Sequence, residues 1–266
     1  MAVKRQLFKI RDNHRFVKRV SFDRVADLYD ETRGFPEDAN EKILDALCGD
    51  MTEGAAILDI GSGTGRFALP LSSRGFSVVG IDISNKMLGV SRSKGFVRCV
   101  RGDSSLMPFK VATFDFALAT HILHLLEDWV ATLAEVRRVV KDSLLSIVIE
   151  RESNLFGEGY YDLLGERGYI AKKLGLGERD LAKKVKPRSV KEAARVTHHQ
   201  SADSLIDRLE SRCFSTQWEV PEELHRAVIA EMREKYSGKE IESSYDIQVY
   251  AWDLTQFDDV IAAEIP

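Results

Sequence analysis

Cysteine is scarce: three residues in a chain of 266. Cys48, Cys99 and Cys213 are odd in number and widely separated, so they build neither a disulfide framework nor a metal-ligand set. Each reads as a small buried hydrophobe in a reducing compartment, and no metal is expected. Long apolar runs are also missing. The longest candidates, Phe114–Leu126 and Leu144–Ile149, fall short of the roughly 20 residues that span a bilayer, and two histidines interrupt the first. The opening MAVKRQLFKIRD carries charge but no apolar core, so it is not a secretory signal. The expected setting is cytoplasmic, without membrane attachment. Nor does one sign of charge dominate, because 38 basic against 42 acidic residues leave a formal charge of −4. With 44% hydrophobic residues this excludes a disordered chain. The length suits one large domain, or a domain carrying a sizeable insertion.

Charge is uneven along the chain. Lys4, Arg5, Lys9, Arg11, Arg15, Lys18, Arg19 and Arg24 crowd the start, and a second basic stretch runs from Arg167 to Arg195 through Lys172, Lys173, Lys183, Lys184, Lys186, Arg188 and Lys191. Such stretches serve nucleic-acid contact or solvated helix faces. The few interleaved aromatics and the net negative charge favour the second.

Apolar spacing makes residues 20–50 helical through Phe22, Val25, Ala26 and Tyr29, with a turn at Gly34-Phe35-Pro36 and a stripe of Ile43, Leu44 and Leu47. From residue 55 short apolar strands alternate with helices. Strands are expected at 56–60, 76–81, 96–100, 114–119 and 144–149, and helices up to Arg74, over 84–94 and over 128–141. That alternation is the pattern of an α/β fold with a parallel sheet and helices on both faces. After Glu150 it stops. Residues 153–211 read as a helical insertion or cap, with sheet-like segments returning at 213–220 and 247–254 around a helix over 222–235. The organisation expected is 1–50 as a helical cover, 51–150 as the ligand-binding core, 151–211 as the cap, and 212–266 completing the sheet.

Ile57-Leu58-Asp59-Ile60-Gly61-Ser62-Gly63-Thr64-Gly65 carries the most chemistry. It turns a buried strand sharply into a helix, where glycine permits positive φ and close ligand approach. A dinucleotide fingerprint needs glycine at the position of Arg66. Here glycine comes one residue early, so the loop suits a nucleoside without pyrophosphate. No Gly-Lys-Ser/Thr follows, which excludes a Walker-type loop. Asp82, at the end of the second strand, can accept both ribose hydroxyls or cap the next helix. Asp103, after the third strand, can meet an adenine amino group. All lie at the carboxyl ends of strands, where open α/β sheets bind ligands.

Together ILDIGSGTG, GIDIS with Met87, GDSSLMPF and FDFALATHILHLLED resemble the class I S-adenosylmethionine-dependent methyltransferases, of the small-molecule, methyltransferase-11-like type, across residues 20–150. FDRVADLYDETRGFP resembles the helix that folds over the cofactor in that subgroup. The resemblance implies a Rossmann-like, mostly parallel seven-stranded sheet whose last strand, near Ile247–Leu254, runs antiparallel between the fifth and sixth. It implies S-adenosylmethionine as cofactor, S-adenosylhomocysteine as product, and a small-molecule acceptor methylated at O, N or C by in-line displacement. Carried over by position, Gly61, Gly63 and Gly65, with Ser62 and Thr64 between them, meet the methionine and ribose parts. Asp59 orients the loop and the amino group, Asp82 takes the ribose diol, and Ile83 and Met87 pack on adenine. Gly102, Asp103 and Ser104 meet the adenine edge, while Thr120 and His121 line the methionine side. Tyr29 and Arg33 match Tyr-Asp-x-x-Arg, with Arg33 either a partner of the methionine carboxylate or ion-paired with Asp30 or Glu37. A departure is Lys141-Asp142-Ser143 where the family usually turns on Pro-Gly-Gly.

Methyl transfer needs alignment more than acid–base groups. A base matters only for a nucleophile that carries a proton, and His121 and His124 are its candidates by position. His124 can equally be held by a backbone carbonyl. His198 and His199 either face a substrate or stand inert in a polar loop. Ala119-Thr120-His121-Ile122 occupies the place of an Asn/Asp-Pro-Pro-Tyr/Phe motif and holds no cysteine nucleophile. That disfavours methylation of adenine, of glutamine amides and of cytosine carbon. Tyr160, Tyr161, Tyr169, Leu163 and Leu164 either enclose an acceptor or dock helices. Two alternatives stay open: an RNA methyltransferase using 167–195, and a non-catalytic cofactor-binding partner subunit. Oligomeric state is not readable from the chain.

Overall fold

The computed structural model describes residues 21–151, 156–171 and 174–264. The basic residues from Lys4 to Arg19, and Lys172 and Lys173, lie outside the described residues.

A short 3-10 turn leads into α1 (Tyr29–Arg33), and Pro36 opens α2 (Glu37–Cys48). Glu37 and Asp38 sit in its first turn, where negative charge suits the exposed amides. The alternating core follows as β1 (Ala56–Ile60), α3 (Ala68–Ser73), β2 (Ser77–Asp82), α4 (Asn85–Ser93), β3 (Cys99–Arg101), β4 (Phe114–Ala119), α5 (Trp129–Val139) and β5 (Val140–Arg151). Then come a π-helical turn at Phe156–Tyr161, α6 (Asp162–Glu166), α7 (Glu178–Lys184), β6 (Ser189–Ser201), α8 (Ala202–Glu210), α9 (Glu222–Tyr236), β7 (Glu240–Asp253) and α10 (Phe257–Glu264).

The seven strands form one sheet in the order β3-β2-β1-β4-β5-β7-β6. β1 to β5 run parallel, and β7 is antiparallel to both neighbours, between β5 and β6 as expected. Both faces are covered, which is why the strands read as continuous apolar runs. On one face Ile57, Val78, Leu118 and Ile147 pack under α2 and α3. On the other, Leu58, Ile60, Ala117 and Trp252 pack under α5 and α10. The chain leaves β1 to one side for β2 and returns beyond it for β4. The crevice at the carboxyl ends of β1 and β4 is therefore the topological switch point. Among the described residues no helix is long and apolar enough to cross a membrane.

Three expectations need correction. The helical reading of 153–211 fails over Ser189–Ser201, which is β6, paired with β7 from Ser189–Ala251 to Ser201–Glu240. Lys, Glu, Ala and Arg favour helix in isolation, but an edge strand with one solvated face accepts them. Its inward residues switch phase at a bulge between Glu192 and Ala194, which hid the alternation. The sheet-like reading of 213–220 also fails. Gln217 ties that segment into a local turn, accepting from the Phe214 amide (3.1 Å) and donating to the Leu209 carbonyl (2.8 Å). Finally, Lys141-Asp142-Ser143 is no turn, because α5 passes directly into β5, with Ser143 opposite Asp253.

Tyr160, Leu163 and Leu164 pack with Ile206 and Leu209 of α8 and Val228, Ile229 and Met232 of α9 in a separate cluster, so they dock helices. The buried Tyr160 hydroxyl meets His225 Nδ1 at 2.5 Å, while His225 Nε2 lies 3.3 Å from the Glu210 carbonyl. That places the ring proton on Nε2 and makes the tyrosine the donor. Burial holds the imidazole below its ordinary pKa. Tyr160→Phe should therefore lower stability by about 1–3 kcal/mol, the cost of a buried acceptor left unpaired. An unshifted urea midpoint would show the hydroxyl to be dispensable.

Candidate active site

The turn after β1 is pinned to the end of β2. The Gly61 amide donates to the Ile81 carbonyl at 2.8 Å, and the Ser62 amide reaches the same oxygen at 3.2 Å. Gly61 sits at φ 65°, and a Cβ there would lie 2.8 Å from the Ile122 side chain. Both strain and space require glycine. Asp82 completes the joint, one oxygen accepting from the Gly63 amide (2.9 Å) and the other from the Ser84 amide (2.7 Å). Ser84, not Asp82, caps α4, its hydroxyl accepting from the Met87 amide at 3.1 Å. The simple cap reading of Asp82 is thereby excluded.

Above this joint opens a cleft. Tyr29, Gly61, Gly63, Asp82, Ile83, Met87, Gly102, Asp103, Ser104, Thr120 and His121 all line it. Asp103 accepts from the amide and hydroxyl of Ser105, both at 2.9 Å, and Ser104 lies 3.1 Å from Thr132 Oγ1. Thr120 Oγ1 is buried with no partner.

Ser62, Thr64, Gly65 and Asp59 are frame, not lining. A Cβ on Gly65 would lie 2.6 Å from Ser91 Oγ, so this glycine lets α4 approach the turn. Thr64 Oγ1 donates to Asp30 at 2.6 Å. Asp59, 4% exposed, lies beneath the floor. Burial, aided by the like charge of Asp82, pushes its carboxyl up to about 8.

A second, larger cavity adjoins the cleft, and Phe22, Tyr29 and His121 line both. His121 sits at φ 54°, an uncommon conformation for a side-chain-bearing residue and one that collects at functional sites. Arg33 and His124 line the second cavity and not the first. Arg33 pairs with neither Asp30 nor Glu37. It donates to the Cys213 carbonyl at 3.0 Å and stacks 3.9 Å from the Phe214 ring centre. Burial, with Arg33 nearby, holds His124 below its ordinary pKa. His198 also lines this cavity, 3.0 Å from the Tyr245 hydroxyl, whereas the exposed His199 faces Glu242.

The N-terminal segment lies across the cleft, fastened at two points. Asp23 accepts from Ser84 Oγ (2.5 Å) and the Lys86 amide (3.1 Å), and Asp30 binds Thr64 and Lys94.

Sequence reasoning missed Phe22 and Thr132 as lining residues, and Gln200, Arg208 and Tyr245 in the second cavity. The last three come from the β6–β7 region and α8, where a misread strand concealed which residues share a face. Among the described residues the basic 167–195 stretch is broken up by ion pairs. Arg167 pairs with Glu231, Arg179 with Glu150, Lys183 with Asp180, Lys184 with Glu264, Arg188 with Asp253, Lys191 with Asp50 and Arg195 with Asp246.

Residues 58–144 match the family model described as Methyltransferase domain, and the sheet has the Rossmann-like methyltransferase fold. An uncharacterised protein of Methanocaldococcus jannaschii is 31% identical over 136 residues, 50% of this chain and 63% of that protein. A demethylmenaquinone methyltransferase of Tropheryma whipplei is 32% identical over 150 residues, 53% of this chain and 62% of its own. The chain thus spans less than two thirds of these relatives. The crystal structure of a putative methyltransferase from Bacillus halodurans superposes with a TM-score of 0.54, 16% identity, and coverage of 82% of this chain and 99% of that one. At that identity the likeness is one of fold.

Between the ordinary carboxyl value of 3.8 and about 8, folded Asp59 holds a proton that the unfolded chain releases. Stability should therefore fall as pH rises through this window. Asp82, and Glu178 at about 7, push the same way through burial. Urea midpoints between pH 5 and pH 8 should decline, and less steeply in Asp59→Asn. Equal slopes in the two proteins would mean that Asp59 is ionised in the fold.

Proposed function

We propose that this chain is an S-adenosylmethionine-dependent methyltransferase of small-molecule acceptors, working in a reducing, cytoplasmic setting. The observation that carries the proposal is the pair of adjoining cavities, one floored by the glycine turn and Asp82, which share a wall at His121. The cleft fits the cofactor's nucleoside end. Each Asp82 oxygen accepts one amide and keeps a further lone pair for a ribose hydroxyl. The unpartnered Thr120 Oγ1 waits on the opposite wall.

On this reading Asp82 holds the ribose diol, Ile83 and Met87 pack on adenine, and Gly102, Asp103 and Ser104 meet its edge. Gly61, Gly63, Thr120 and Tyr29 surround the methionine end. Asp59 acts beneath them, and Ser62, Thr64 and Gly65 keep the turn in shape. Bound, the cofactor supplies a sulfonium methyl open to in-line displacement by an O, N or C nucleophile.

The chain's own work is positioning and exclusion of water. Phe22 and Tyr29, edge to face with ring centres 5.8 Å apart, cover the junction of the two cavities. His121 on the shared wall orients the acceptor. His124, kept neutral by burial, accepts a proton from a hydroxyl or phenol acceptor. No observation favours the RNA-directed or the non-catalytic reading.

Calorimetric titration tests the proposal. S-adenosylmethionine and S-adenosylhomocysteine should bind at micromolar concentration and NAD should not, since Arg66 occupies the third glycine position and stacks over Phe35 at 4.2 Å. Asp82→Ala should weaken binding by about 1–3 kcal/mol, the loss of a charge-assisted hydrogen bond. Absence of binding to either sulfur compound would overturn the assignment.

A further inference from the structure

The second cavity has an unusual electrostatic lining. Its cations are Arg33 from α1 and Arg208 from α8, joined by three histidines, and its one acid among the described residues is the exposed Glu31. Other arginines of this protein, Arg74, Arg137, Arg138 and Arg212 among them, meet carboxylates. Asp207 and Glu210 flank Arg208 along α8, yet both turn to Arg233, at 2.7 and 2.5 Å. Arg208 is left with the side-chain oxygen of Gln200, and its Nε is buried without a partner. Arg33 is similar: one guanidinium nitrogen donates to the Cys213 carbonyl, while Nη1 is buried and unpartnered. Neither arginine has a carboxylate partner among the described residues.

A guanidinium withdrawn from water without a counter-charge is costly, and its planar fork matches an oxyanion in two-point contact. The rest of the wall is mixed: apolar side chains led by Phe35, Leu205 and Phe214 stand beside the hydroxyls of Thr32, Thr216 and Ser243. Charge and lining therefore point to one class of molecule: an anionic group carried on a partly apolar body.

We infer that the methyl acceptor is itself an oxyanion, a small aromatic or alkyl molecule whose carboxylate or equivalent group is held by Arg208, with Arg33 completing the cationic wall. The inference rests on the methyltransferase reading of the adjoining cleft. It adds the substrate class and places the anion contact on a residue outside the cofactor site. The bound anion need not be the methylated atom, because the cavity is far larger than a carboxylate and reaches from Arg208 to His121.

The test uses the full chain loaded with S-adenosylhomocysteine, whose binding is measured first. Benzoate, phenylacetate and hexanoate are each titrated beside the corresponding primary amide, followed by calorimetry and thermal shift. At least one acid should bind about tenfold or more tightly than its amide. Arg208→Gln should abolish that preference and Arg208→Lys should keep part of it, both with unchanged affinity for S-adenosylhomocysteine. Equal behaviour of acids and amides, or no binding of any acid, overturns the inference. So does an intact preference in Arg208→Gln. Weakened S-adenosylhomocysteine binding in Arg208→Gln overturns it too, because the guanidinium would then serve the cofactor's own carboxylate. The two readings fail separately. A chain that prefers acids but binds no S-adenosylhomocysteine keeps the anion site and loses the methyltransferase assignment. The reverse result removes only the anion site.

Discussion

The carboxylate of Asp82 joins the glycine turn after β1 to the first turn of α4 through the amides of Gly63 and Ser84. Two segments that belong to different strand–helix units are thereby held at one point, at the carboxyl ends of their strands. The walls of the cleft inherit their spacing from it. Met87 follows from the cap that Ser84 makes once its own amide is fixed, and the N-terminal segment finds its anchorage on the same two turns through Asp23 and Asp30. Asp82 is itself a partly buried acid above another, Asp59, so the joint costs electrostatic energy that the amide bonds must offset.

Where each local signal agreed with the fold, the structure was legible in the residues. β1 and β4 are bounded by turn residues and apolar on both faces, so burial alone marks them, and their limits at Ala56–Ile60 and Phe114–Ala119 are those read from the chain. The lining of the cleft was legible for the same reason. Strand ends in a parallel sheet converge, so Asp82, Asp103 and Thr120 had to come together once the strands were placed.

β6 was not legible, because its identity is decided by its partner. SVKEAARVTHHQS has the composition of a helix face and becomes a strand through its ladder with β7. That one misreading concealed the second cavity. His198 and Gln200 share a wall with Tyr245 only when β6 and β7 are paired. Arg208 on an amphipathic helix resembles any solvated arginine until its neighbours Asp207 and Glu210 are seen to face Arg233. Residues 213–220 illustrate the converse: the segment read as sheet-like, but the side chain of Gln217 takes up the Phe214 amide and ties the turn to the Leu209 carbonyl of α8.

The two margins of the sheet are also unlike each other. β3 is only three residues long, and β6 is long but bulged, presenting Glu192, Arg195 and His199 to solvent. An open row of backbone amides invites another chain to add a strand, and short length, a bulge and outward charge are the means by which that is discouraged. A thirteen-residue margin strand would otherwise be the chain's principal aggregation hazard. The glutamate and arginine that made this segment look helical thus have a second consequence: as outward charges they discourage a further strand from adding to this margin.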